Sequence, residues 1–268
     1  MNDRVAIHTK QAAYRTYAIG LRVPRDAFRI LLWDTGDPYH YVRATRHSES
    51  EDLLIVGGED HKTGQPHDGY EQCFERLTAW ARRYFRFAGD VLYRWSGQVL
   101  EPNDGLAFIG RNPGDEHTFI VTGDSGHGMT HGTIAGMLLP DLIAGRANPW
   151  AELYDPARVR PRAAGEFAKE NVNVAAQYLD YVKPSHVESA EQIAPGTGAI
   201  LREGVHRIAA FRDEQGALHR HSAVCTHLGC VVAWNPVEQT WDCPCHGSRF
   251  DARGLVLNGP AIAGLPPV

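Results

Sequence analysis

Two hexapeptides near the C-terminus hold four of the five cysteines of the chain, and each also holds a histidine. Box one is Cys225-Thr226-His227-Leu228-Gly229-Cys230, and box two is Cys243-Pro244-Cys245-His246-Gly247-Ser248. One residue separates Cys225 from His227, a spacing that suits two ligands from one tight loop. Two residues separate Cys243 from His246, the chelate spacing of many metal loops. Two thiolates and two imidazoles suit zinc or iron. Gly229 and Gly247 let the backbone turn closely around a metal. A structural zinc site accounts for four ligands. It leaves Cys230 and Cys245 idle, and a Cys-x-His half-site is unusual for zinc ribbons.

The elements that position the boxes are short. Between them, "VVAWNPVEQTW" reads as a strand, an Asn-Pro turn and a second strand, so two loops from neighbouring strand ends can clamp one centre. Upstream, "GTGAILREG" and "VHRIAAFRDEQGALHRHSAV" read as strands, the latter folded back at Glu-Gln-Gly. They predict a small antiparallel sandwich or barrel from about Ile193 onward.

The paired boxes resemble the Rieske 2Fe–2S motif in their six cysteines and histidines, both glycines, Pro244 and Ser248. The resemblance implies that Cys225 and Cys243 hold one iron, that His227 and His246 hold the other, and that Cys230 and Cys245 form a disulfide tying the loops together. Ser248 is then a hydroxyl donor to the cluster, and "LNGPAIAGLPP" matches the proline-bearing loop that covers it. Two neutral imidazoles in place of two thiolates make reduction easier. Rieske potentials accordingly run from about −150 to +300 mV, against about −400 mV for all-cysteine ferredoxins.

The N-terminal half has a different texture. "YRTYAIGLRV", "ILLWDT", "YHYVRAT" and "DLLIVGGE" read as strands of an antiparallel sheet. In "DGYEQCFERLTAWARRYF" the apolar residues Phe74, Leu77, Trp80, Ala81 and Tyr84 recur at helical spacing, and Cys73 reads as a buried structural thiol. "VLYRWSGQVL" returns as a strand. An apolar strand from Phe119 to Val121 then enters a glycine-rich loop, Gly123 to Gly132, followed by an apolar helix ending at Gly145. Such a loop presents backbone N–H groups and a helix N-terminus to an electron-rich ligand.

Residues from about 10 to 157, most strongly 94–145, resemble the C-terminal flavin-binding region of the D-amino-acid oxidase-like FAD-dependent oxidoreductases, which include the glycine and sarcosine oxidases. The resemblance implies that Gly126, His127, Gly128, Met129 and Thr130 lie against the flavin, and that the preceding sheet is a substrate-binding half. Tyr39, Tyr41 and Arg43 are candidates there to meet a substrate carboxylate. The family opens with a G-x-G-x-x-G pyrophosphate cradle, which this sequence does not contain. The chain therefore reads as the C-terminal portion of a larger flavoprotein–Rieske fusion, truncated or encoded as a separate piece.

The expected fold is α+β. Residues 1–157 form the substrate and flavin half, 158–192 a partly helical linker docked on it, and 193–268 an all-β Rieske domain. The expected cofactors are a 2Fe–2S cluster and FAD. The expected function is electron transfer attached to an amine- or amino-acid-oxidising module, in its intact form an FAD-dependent oxidoreductase with catalytic residues unassigned. The expected partners are an electron-transfer protein or the N-terminal flavoprotein portion, and a small amine or amino acid. The other reading is a non-catalytic module stabilised by zinc or a cluster. Of the 268 residues 43% are hydrophobic, which excludes disorder, and the net charge of −5 is interspersed, which gives no electrostatic case for nucleic acid or anionic membrane. No apolar run approaches about 18 residues and no signal-peptide pattern opens the chain, so the expected location is cytoplasmic.

Overall fold

The computed structural model describes residues 6–66, 68–185 and 187–268. The fold is α+β, in two compact units: residues 14–98, and residues up to 13 together with 99–268.

Residues 14–98 belong to a five-stranded antiparallel sheet. Its strands are β1 (Gln11–Pro24), β2 (Leu32–Trp33), β3 (Tyr41–Arg46), β4 (Glu51–Lys62) and β5 (Val91–Pro102), in the order β2-β3-β4-β1-β5. Helix α1 (Tyr70–Tyr84) contributes Tyr70, Cys73, Phe74, Leu77 and Ala81 to the interior. Residues three and four apart share a helix face, and on that face the Phe74 ring meets Tyr17 edge to face at 5.0 Å, with Tyr17, Leu54 and Val56 of the sheet also buried. The predicted stripe extends one turn too far: Tyr84, in the last turn, is 58% exposed. Trp80 instead stacks on His40, with ring centroids 4.3 Å apart.

The second unit begins with the hairpin β6 (Phe108–Arg111) and β7 (Phe119–Thr122), followed by α2 (Gly128–Ile143) and the short α3 (Ala151–Tyr154). Ala107, Ile109, Ala135, Leu138 and Tyr154 form its local core. The predicted glycine-rich loop is shorter than its glycines suggested, since the helix starts at Gly128. Gly128, Met129 and Thr130 are its first turn, and Gly132 lies inside it. Glycine disfavours helix interiors by only about 1 kcal/mol, and the apolar contacts of the helix outweigh that here.

Beyond α3, Arg158 ties the chain down. Its guanidinium donates to both oxygens of Asp104 (2.7 and 2.8 Å) and to the carbonyl oxygens of Leu106 and Ala107, with both charged side chains at most 10% exposed. Helix α4 (Ala164–Gln177) and a 3-10 turn, Tyr178–Tyr181, follow. The linker was expected to dock on the N-terminal half, and Asn171 does donate to the carbonyl of Thr9 at 3.1 Å. The end of the helix departs from that expectation: Val174 and Tyr181 pack on the core around the two boxes.

The C-terminal part is two small antiparallel sheets. One is β8 (Thr197–Glu203), β9 (His206–Arg212) and β10 (Leu218–Ser222), in the order β10-β9-β8. The other is the meander β11 (Ala233–Asn235), β12 (Thr240–Asp242), β13 (Arg249–Asp251) and β14 (Val256–Asn258). Their shared core includes Ile200, Phe211, Val231, Trp241 and Phe250, with Trp241 and Phe250 fully buried. No helix among the described residues is long and apolar enough to cross a membrane.

Candidate metal centre

Each box is a loop leaving the end of a strand, and the two loops close in the same way. In box one the Cys225 N–H donates to the Cys230 carbonyl (2.8 Å) and the Gly229 N–H to the Cys225 carbonyl (3.0 Å). In box two the Cys243 N–H donates to the Ser248 carbonyl (2.8 Å) and the Gly247 N–H to the Cys243 carbonyl (3.1 Å). The closing glycines have φ of +83° and +76°, a left-handed conformation that a side chain would strain. The same local chemistry thus produces two matched half-sites.

The loops face each other and are covalently joined by the disulfide Cys230–Cys245, whose Cα atoms are 6.4 Å apart. Cys225 and Cys243 remain thiols and are 2% exposed. The sulfurs of Cys230, Cys243 and Cys245 lie within 4.8 Å of one another. Two of these are consumed in the disulfide, so that trio is a backing for the site and not a ligand set. The Cys243 thiol donates to Cys225, which lowers Cys225 to about 6 against the opposing effect of burial. The N–H groups of His227 and Leu228 and the Ser248 hydroxyl also favour the Cys225 thiolate. Cys243 is pushed up by that same bond, by burial and by the negative charge of its partner. The pair therefore shares one proton, which a bound cation would displace.

The imidazoles of His227 and His246 stand edge to face, with centroids 5.1 Å apart. Burial, reinforced by His8 and His227, lowers His246 to about 3, so it is neutral and has a lone pair available for a metal. His8, a residue the sequence did not single out, contacts both rings at 4.9 Å. Two buried thiols with converging N–H and O–H donors, beside the imidazoles of His227 and His246, fit the mixed thiolate–imidazole donor set of a 2Fe–2S centre.

Two further segments hold the loops. Tyr178 and Tyr181 donate their hydroxyls to the carbonyls of Leu228 (2.6 Å) and Gly229 (2.5 Å). The proline-bearing segment spans both boxes: Thr226 donates to the Ala263 carbonyl (2.5 Å), and the Ala261 N–H donates to the Ser248 hydroxyl oxygen (3.0 Å). Thr226 lies inside box one, whereas nothing local to Tyr178, Tyr181 or His8 signals the site.

The other candidate residues lie elsewhere. Gly126 and His127 form an exposed turn ahead of α2, and Met129 is 89% exposed. In the unit of residues 14–98, Tyr39 and Tyr41 are half-buried with rings 6.4 Å apart, and Arg43 is exposed. The Tyr41 ring lies over Gly57, where any added Cβ would overlap it. Sequence reasoning missed the neighbouring buried His40, whose ring bonds Asp34 at 2.9 Å.

Comparison with known proteins separates the two halves. Residues 4–142 match the FAD dependent oxidoreductase family, and residues 183–268 match the Rieske [2Fe-2S] domain. The chain belongs to the FAD-dependent oxidoreductase family and carries a Rieske domain. It is 36% identical over 220 residues to the Rieske 2Fe-2S iron-sulfur protein YhfW of Bacillus subtilis, an alignment covering 81% of this chain and 43% of that protein. The chain thus spans less than half the length of that relative. It is 33% identical over 137 residues to the cytochrome b6-f complex iron-sulfur subunit of Synechococcus elongatus, covering 51% of this chain and 71% of the subunit. Glycine oxidase from Geobacillus kaustophilus superposes with a TM-score of 0.46 at 17% identity, over 56% of this chain and 40% of the oxidase. The Rieske domain implies a 2Fe–2S cluster, and the oxidoreductase family implies FAD.

Two expected results arise directly from the Rieske loops. Replacing both Cys230 and Cys245 by serine removes the covalent tie between the ligand loops and frees the unfolded chain. A loss of about 2–4 kcal/mol in denaturant unfolding is expected. Full stability of the double variant, or two free thiols by mass spectrometry, contradicts the role of the bridge.

The second concerns Phe250, which is fully buried in the same core as Cys225 and Cys243. A hydroxyl donor to cluster sulfur favours the more negative, reduced state. Ser248 supplies one, whereas Phe250 supplies none. Phe250→Tyr is expected to raise the potential by several tens of millivolts, the equivalent of a differential hydrogen bond of about 1 kcal/mol in a one-electron couple. Redox titration at constant cluster content checks it; an unchanged or lower potential shows that the ring does not face the cluster.

Proposed function

We propose that the chain transfers single electrons through a Rieske 2Fe–2S centre held by Cys225, His227, Cys243 and His246, and that it works with an FAD-dependent module oxidising a small amine or amino acid. The observation that carries this reading is the convergence of two matched loops, bringing two buried thiols beside two imidazoles over one disulfide. When bound, the cluster supplies a one-electron acceptor and donor. The residues of the chain set its surroundings. The N–H groups of His227 and Leu228 and the Ser248 hydroxyl bond the Cys225 sulfur, burial keeps His246 neutral, and the tyrosines of the 178–181 turn hold the box-one backbone. The match of residues 183–268 to the Rieske [2Fe-2S] domain favours a cluster over a zinc-stabilised module.

Residues 1–157 serve in this reading as the flavin and substrate half, 158–192 as the linker and 193–268 as the Rieske domain. Gly126, His127, Gly128, Met129 and Thr130 are the flavin-side segment, supported by their exposure at a helix N-terminus. Met137 and Ile143, 54% and 66% exposed, leave an apolar face on α2 that suits an N-terminal flavoprotein portion as partner. Tyr39, Tyr41 and Arg43 are the candidates for a substrate carboxylate. We place the protein in the cytoplasm, where its shielded disulfide survives while Cys73 stays a thiol.

The test is direct. The purified chain is assayed for iron, acid-labile sulfide and zinc, and its visible spectrum is recorded before and after one-electron reduction. Iron and sulfide in equal amounts with a reducible spectrum support the reading. Zinc with a featureless spectrum overturns it. Reduction of the centre by a panel of amino acids or N-methyl amines, with added FAD and any N-terminal flavoprotein partner, then tests the coupling.

A further inference from the structure

His8 lies outside the four-residue donor set yet faces it. It sits in the 3-10 turn Ile7–Thr9, within the stretch that matches the FAD dependent oxidoreductase family. Its ring centroid is 4.9 Å from that of His227 and 4.9 Å from that of His246, at 87° to each. With those two rings 5.1 Å apart, the three imidazoles form a nearly equilateral triangle in which each meets the others edge to face.

The turn that carries His8 is held from several directions. Ile7 is fully buried. The Thr9 carbonyl accepts from Asn103 (3.2 Å) and Asn171 (3.1 Å), which reach it from the end of β5 and from α4. Lys10 donates its ammonium to the carbonyls of Pro156 and Arg158 at 3.2 and 3.1 Å. Anchors from three separate segments hold the residues that follow the histidine, and buried Ile7 precedes it, so its ring is placed against the pair and does not sweep past it.

We propose that His8 is a positioning residue that closes the imidazole edge of the Rieske centre, turning that edge toward the oxidoreductase segment of its own chain and away from external redox molecules. The inference rests on the ligand reading above. Electron tunnelling falls steeply with separation. A ring covering the edge keeps hydrated one-electron reagents at a distance, while the polypeptide carrying the ring stays in contact. The Rieske centre is thereby wired for exchange within this protein or its own flavin module.

The test uses the whole chain with its cluster loaded, after iron content and visible spectrum are measured for each variant. The centre is reduced anaerobically and mixed with ferricyanide in a stopped-flow instrument. The centre gives up one electron, ferricyanide becomes ferrocyanide, and no proton or bond is exchanged. His8→Gly, which removes the cover, is expected to be oxidised about tenfold faster, the factor that an opening free energy of about 1.4 kcal/mol imposes on the intact protein. His8→Phe, which keeps a flat ring in place, is expected to restore the slow rate. An unchanged rate in His8→Gly at full iron content overturns the covering role alone, as does equal acceleration in both variants. Loss of iron in His8→Gly overturns it by making His8 a ligand. Absence of iron from the unaltered protein overturns the ligand reading and this inference together.

Discussion

Cys243→Ser and His246→Ala are each expected to abolish iron binding and to loosen the C-terminal part of the chain. Cys243 and His246 are both buried in box two and are held in one loop by the bond from the Gly247 N–H to the Cys243 carbonyl. A serine hydroxyl stays protonated at neutral pH and is a poor substitute for thiolate, and alanine offers no donor at all. Three remaining ligands leave one iron under-coordinated. Because the loops gain their order partly from ligation, the free energy lost from binding is also lost from folding. The measurements are iron and sulfide per chain, together with thermal unfolding followed by tryptophan fluorescence, to which buried Trp241 contributes. Full iron content in either variant removes that residue from the ligand set. Loss of iron with an unchanged unfolding curve shows that the loops are held by protein contacts alone.

Asp242→Ala is expected to cost about 3–5 kcal/mol, because it breaks a buried ion pair and leaves a guanidinium behind. Asp242 is fully buried. One of its oxygens accepts from Arg249 Nε (3.0 Å) and the Thr240 hydroxyl (2.8 Å), and the other from the Asn235 amide (3.2 Å). Arg249 also bonds Glu238 and Thr240. Asp242 immediately precedes Cys243, and Arg249 immediately follows Ser248, so the pair clamps both ends of box two. The change is read as a shift of the urea midpoint at constant slope, and iron occupancy is expected to fall with it. Replacing Asp242 and Arg249 together by apolar residues of similar volume is expected to cost less than Asp242→Ala, since the charge that then loses a partner is the part-exposed Glu238 carboxylate and not a guanidinium in the core. A loss of under about 1 kcal/mol for Asp242→Ala shows that water or Glu238 satisfies Arg249 without it.

The sequence by itself determined the parts of this protein whose chemistry is local. A Cys-x-His and a Cys-x-x-His step place two donors in one loop whatever surrounds them. The strand, turn and helix patterns of residues 14–98 likewise follow from alternation and helical spacing, because burial on one face of an element imposes its period on neighbouring residues. The limits of that reading were local too. Tyr84 continues the apolar spacing of α1 but lies past the edge of the core, and the glycines at 128 and 132 looked like loop while the packing of Ala135 and Leu138 made them helix.

Only the tertiary structure decided what meets across the chain. It set Tyr178 and Tyr181 on the carbonyls of box one, gave the expected covering segment its bonds to Thr226 and Ser248, and brought His8 from the opposite end of the sequence to the edge of His227 and His246. Tyr178, Tyr181 and His8 differ in neither type nor spacing from an ordinary surface tyrosine or histidine. Their roles come from long-range contacts, which exist only once the chain entropy of bringing distant segments together has been overcome by packing, and which therefore leave no periodic trace in the sequence.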